Sequence, residues 1–155
     1  MDYISHIRSL VGHEKVIMVV AGAFVFDDEN RLLLQQRADN GQWGIPGGFM
    51  EFNETVQETA RREVFEETGI KPGKLELFGI YSGKDFDKTF ANGDQVYMVQ
   101  IIFTCRDFVG ELKEKTEESM RNDFFPLDAL PTNIFTSQTM FFEDYFSDEE
   151  RPIIR

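Results

Sequence analysis

The spacing of apolar and polar residues changes several times along the chain, and each change predicts an element. Residues 16–26, "VIMVVAGAFVF", are rich in Val, Ile and Phe and read as a long strand. The polar "DDEN" at 27–30 is a turn, and "RLLLQQR" at 31–37 reads as the returning strand of a hairpin. Gly and Pro residues break any regular period in "NGQWGIPGG" at 40–48. Asn53 then stands at the N-cap position of a helix over 54–68, which Gly69 closes as a left-handed cap. Two strands follow, around 75–82 and 95–105, and the Asn92-Gly93 pair between them favours a tight turn. A short strand falls near 123–126, and the Phe-rich segment 134–146 reads as a closing helix. Strands outnumber helices in a mixed order, so the fold class is α+β, or mixed α/β. No linker or repeat divides residues 1–155, which are expected to form a single domain.

Composition narrows what such a domain can bind. The chain has 155 residues, 41% of them hydrophobic and 16 of them Phe, enough for a substantial core. Its net charge of −12 excludes attraction to the phosphates of long nucleic acids. An anionic ligand must be met locally, by a few Lys or Arg side chains or by metal cations. The lone Cys105 lies in the apolar run "VYMVQIIFTC" and reads as a buried strand residue. One cysteine excludes an internal disulfide framework and fits a reducing cytoplasm. The N-terminal residues lack a signal-peptide core, and the longest apolar run is about half of what a bilayer needs. A soluble cytoplasmic protein with no membrane partner is expected.

The segment from Gly47 to Ile70 changes the picture most. On a helix turning about 100° per residue, Glu63, Glu66 and Glu67 are near neighbours, at a cost of a few tenths of a kcal/mol per like-charged pair. Val56, Ala60 and Val64 form an apolar stripe beside these carboxylates, so the acids border the buried face and point along a cleft wall. Clustered carboxylates there suit a hard divalent cation, Mg²⁺ or Mn²⁺. Arg62 lies four residues from both Glu58 and Glu66 and can bridge them; Glu54 and Glu58 read as solvated charge. An acid-rich helix is also an ordinary solvated surface, and spacing alone leaves both readings open.

The surrounding residues add a resemblance. Gly48, five residues, Glu54, seven residues, Arg62-Glu63-Val64, one residue, Glu66-Glu67, one residue and Gly69-Ile70 match every defined position of the Nudix box. "WGIPGG" before it and "PLDALP" at 126–131 are similar to the family's flanking segments. The resemblance to Nudix hydrolases implies an α/β/α sandwich with a mixed central sheet, in which the box forms a loop-helix-loop. It implies water attack on the pyrophosphate of a small nucleotide, such as ADP-ribose, a nucleoside triphosphate or a dinucleoside polyphosphate. It also implies Mg²⁺ or Mn²⁺ as cofactor, held by Glu63 and Glu67, nearly as well by Glu66, and completed by the Gly47 carbonyl. Arg62 becomes an orienting partner, grouped with Glu66 in the catalytic set. The family's general base comes from the box or from an acidic loop before the final strand. That loop is "KEKTEESMRND" here, with Glu118 the first choice and Glu117 the second, each equally readable as exposed charge. The segment "YSGKDFDKTFANGDQVY" is the candidate substrate-contacting loop, through Lys84, Lys88, Phe86 and Phe90. It reads as well as a plain hairpin connection with solvated lysines. Trp43 is expected to pack at the sheet edge, and His6 and His13 have no assigned role. Homodimers are frequent among such relatives. The alternative to an enzyme is a non-catalytic nucleotide-sugar-sensing module; the intact charged positions favour catalysis.

Overall fold

The computed structural model describes residues 2–155. Helix α1 spans Tyr3–Val11, capped by the Asp2 carboxylate accepting from the Ser5 N–H and ended at Gly12. Strand β1 is Val16–Val25, β2 Arg31–Arg37, β3 Trp43–Gly44 and β4 Gly47–Phe49, before helix α2 at Val56–Thr68. Then come β5 (Lys71–Pro72), β6 (Glu76–Tyr81), β7 (Asp87–Thr89) and β8 (Gln95–Cys105). The chain closes with β9 (Phe108–Val109), β10 (Ser119–Pro126), helix α3 (Thr139–Tyr145) and β11 (Ile153–Ile154).

The main sheet runs β11-β6-β8-β1-β4, with β7 also on β8. It is mixed, because β1 and β8 are parallel over ten residue pairs and β11 is parallel to β6, whereas β6 runs antiparallel to β8 and β4 antiparallel to β1. Side chains of β1 alternate between two cores, as strand geometry requires. One face sets Met18, Val20 and Phe24 against Phe78, Phe141 and Phe142, with Tyr3 and Ile7 of α1 on the same side. The other sets Ala21, Ala23 and Val25 against Ala60 and Val64 of α2, with Leu33 and Phe103. Helices therefore cover both faces, and the expected α/β/α sandwich is what forms. Small alanines on β1 let α2 approach closely, and that approach sets where its carboxylates emerge.

Three local expectations are corrected. Residues 16–26 and 31–37 do not form a hairpin ladder; apart from one bridge, Phe26 to Leu32, they belong to different sheets. Strand β1 already has β8 and β4 on its two edges, so β2 pairs with β10 and β3 instead. The N-cap of α2 is Thr55, not Asn53, which sits in a left-handed turn at φ 68°. Thr55 accepts from the Glu58 N–H and Glu58 accepts from the Thr55 N–H, a reciprocal capping box. Finally, β10 is longer than the expected 123–126; helix α1 was not foreseen. Gly69 does close α2 in the left-handed region at φ 82°, and Trp43 is buried edge-on against Phe125. No helix among the described residues is long and apolar enough to cross a membrane.

Candidate active site

Strand β4 lies directly against β1, Gly47 opposite Gly22 and Gly48 opposite Ala21. A Cβ at Gly47 would meet the Ala21 carbonyl oxygen at 2.8 Å, and one at Gly48 would collide with the Glu63 carboxylate. The two glycines thus allow backbone, acid and sheet to meet at one place. The result is a cleft of about 500 Å³ whose walls include Gly47, Gly48, Glu63, Glu67 and Glu118.

Glu63 and Glu67 are one turn apart on α2, and the wall of β1 and β2 beside the helix buries Glu67 to 4% exposure. Gln35 of β2 donates a short hydrogen bond from Nε2 to Glu67 Oε2. The Glu67 carbonyl is fixed separately by Asn122 Nδ2 at 2.8 Å. Burial, and then the adjacent Glu63 charge, push the Glu67 carboxyl well above its ordinary range; burial also raises Glu63, against the pull of Arg62.

Arg62 organises the other side of this pair. It donates to Glu63 Oε1 at 2.7 Å, to Glu54 Oε2 at 3.0 Å and to the Phe49 carbonyl at 2.9 Å. Its expected bridge to Glu58 does not form, because Glu58 is engaged in the capping box. Nor is Glu54 solvated charge: the Arg62 guanidinium, with the Glu51 N–H and Thr59 hydroxyl, holds its carboxyl at about 2. Glu66 points outward, with its side chain 56% exposed and 3.4 Å from Arg62. It does not line the cleft but a shallower depression with Glu117, Lys113 and Lys115, and Glu118 stands on the wall between the two.

The substrate-loop candidates separate three ways. Lys84 is exposed away from the cleft. Phe86 is not a ligand platform: it is 2% exposed and stacks on Phe141 in the core, at 5.9 Å between centroids. Lys88 and Phe90 do line the cleft. His13, given no role, touches Asp94 at 2.6 Å on the exposed surface away from the cleft. Lining residues missed from the sequence include Gln35, Arg37, Phe49 and Phe135. Gln35 and Arg37 share one strand face with core residue Leu33, and that switch from apolar to polar along one face was the available signal.

Among the described residues, no group of three His, Cys, Asp or Glu side chains is already spaced as a metal cluster. The donor set nonetheless suits a hard cation. Glu63 and Glu67 touch, Glu118 stands in the same wall, and Arg62 neutralises Glu63 but not Glu67. Such acceptor-rich burial without a matching cation is costly unless a metal or a proton supplies one.

Comparison with known proteins agrees with this geometry. The NUDIX domain family model matches residues 16–145. An ADP-ribose pyrophosphatase of Methanocaldococcus jannaschii is 34% identical over 124 residues, covering 78% of this chain and 69% of that protein. A MutT-like protein of Streptomyces ambofaciens is 39% identical over 100 residues, covering 64% of this chain and 58% of that protein. Among solved structures, a MutT NUDIX hydrolase from Burkholderia pseudomallei superposes with a TM-score of 0.68 at 28% identity, covering 83% of this chain and 98% of that one.

Proposed function

The chain belongs to the Nudix domain family, and from that premise we propose that it is a divalent-metal-dependent hydrolase of small nucleoside diphosphate derivatives. Water attacks a phosphorus of the diphosphate linkage and the bond to the bridging oxygen breaks, leaving a terminal phosphate on each of the two products. The observation that carries this reading is the buried Glu67 carboxyl against Glu63, in a cleft where Gln35 is its side-chain donor.

Glu63 and Glu67, with the Gly47 backbone, would hold Mg²⁺ or Mn²⁺. Such a cation, when bound, neutralises phosphate oxygens and lowers the pKa of a coordinated water. The protein supplies the orientation. Arg62 fixes Glu63 through a guanidinium itself anchored on Glu54 and the Phe49 carbonyl. Gln35 fixes Glu67 from the sheet side. Glu118, carried on the loop before β10, accepts the proton of the attacking water. Phe49 gives the cleft an aromatic face for a base, and the relative named as an ADP-ribose pyrophosphatase supports a nucleotide of this size. Intact carboxylates favour turnover over a sensing role.

Incubation with a nucleotide panel and Mg²⁺ or Mn²⁺, followed by a phosphatase and a phosphate assay, tests this. Hydrolysis of at least one member is expected, lost by about a hundredfold or more in Glu67→Gln. Saturable nucleotide binding without product across the panel would overturn it in favour of the sensor.

A further inference from the structure

The cleft has a second charged end that the hydrolytic reading leaves unused. Lys88 of β7 stands with its ammonium 4.7 Å from the Phe90 ring centroid and 5.0 Å from that of Phe135. The Arg37 guanidinium lies 4.1 Å from the centroid of the same Phe135 ring. Arg37 has a carboxylate partner, Asp39 at 2.9 Å, and the arginine side chain is 30% exposed. Lys88 has none: among the described residues no carboxylate reaches salt-bridge distance of it, and Asp39 acts on it only from further away. Burial and the Arg37 charge lower the Lys88 pKa.

This arrangement is unfavourable for the protein alone. A half-buried ammonium gives up hydration, and two cations share one aromatic ring in a chain with acids to spare. Its position relative to the carboxylates is also informative. Gln35, which holds Glu67, and Arg37 are successive same-face residues of β2, separated by about 7 Å of strand rise. The cationic end therefore begins one side chain beyond the acidic end, within reach of the same phosphate chain.

We propose that Lys88, braced on Phe90 and Phe135 and flanked by Arg37, is a metal-independent subsite for a terminal phosphate, selecting nucleotides with a free phosphate terminus over diphosphates capped by a neutral sugar. It rests on the nucleotide reading of the cleft but not on turnover. A phosphate there pairs with the cleft cation that lacks a carboxylate partner among the described residues, and the phenyl rings keep water from screening the contact.

Metal-free calorimetric titration separates this proposal from hydrolysis. In EDTA, the wild-type protein is titrated with ATP and with ADP-ribose, and so are Lys88→Met and Phe135→Leu, each checked by thermal melting. ATP is expected to bind the wild type about tenfold more tightly than ADP-ribose, the size of one charge-assisted contact, with that preference lost in Lys88→Met and reduced in Phe135→Leu. Lys88→Arg should retain it. Equal affinity for the two ligands, no saturable ATP binding, or an unchanged preference in a folded Lys88→Met would overturn the proposal. Hydrolysis in the metal-loaded panel would stand in any of those cases, and its absence would leave this binding result intact.

Discussion

Glu54 illustrates how a residue's environment outweighs its type. Its sequence position marks a helix surface, yet Arg62, Thr59 and a backbone N–H converge on it and hold its carboxyl at about 2, from a reference of 4.5. A depressed folded pKa stabilises the protein above the unfolded value, and the gain disappears as pH falls through the folded one. Glu54→Gln should therefore cost about 2 kcal/mol at neutral pH, allowing for partial exposure, in urea denaturation. That gap should close as pH drops from about 4.5 to about 2. Glu67 works with the opposite sign. Its raised carboxyl opposes folding once pH exceeds the ordinary glutamate range, because the buried group must either keep a proton or hold a charge beside Glu63. Metal-free Glu67→Gln should melt higher than wild type near neutral pH, with a margin that shrinks toward pH 4.5. Phe86 carries the residue-scale lesson about legibility. Its loop looked ligand-facing, but a single aromatic among 16 Phe residues has no local mark distinguishing core from cleft. Phe86→Ala should destabilise by about 3 kcal/mol or more, in the manner of a core truncation.

At the scale of elements, α2 was the most legible part of the chain. Its apolar stripe, its glycine stop and the row Glu63–Glu67 all follow from spacing, and each is where the helical period places it. Its start was misplaced by two residues because Asn53 and Thr55 both suit an N-cap. The reciprocal bond with Glu58 decides for Thr55, and Thr55→Ala should lower stability by about 1 kcal/mol, measurable by thermal melting. The turn of β4 was legible as irregular but not in its purpose. Gly48→Ala would drive a methyl into the Glu63 carboxylate, so turnover should fall sharply while far-UV circular dichroism stays native. The pairing of β2 was not legible locally. A strand followed by a turn and another strand suggests a hairpin, and only the long-range ladders of β1 with β8 and β2 with β10 exclude it.

For the whole molecule, the charge balance connects fold and site. A chain of net charge −12 carries its surplus acid into a cleft, fixes two carboxyls at contact and leaves one unneutralised. The family fold was readable from the box because its glycines, acids and cap must all stand in register for that contact to form. The cationic end was not readable, since Arg37, Lys88 and Phe135 come from three distant segments that only the tertiary fold assembles. The central claim is that the contacting carboxyls exist to hold a divalent cation, and Mn²⁺ calorimetry on the nucleotide-free protein tests it most directly. Saturable Mn²⁺ binding is expected in the wild type, weakened at least tenfold in a folded Glu67→Gln. Equal Mn²⁺ affinity in the two proteins, or none in either, would contradict it.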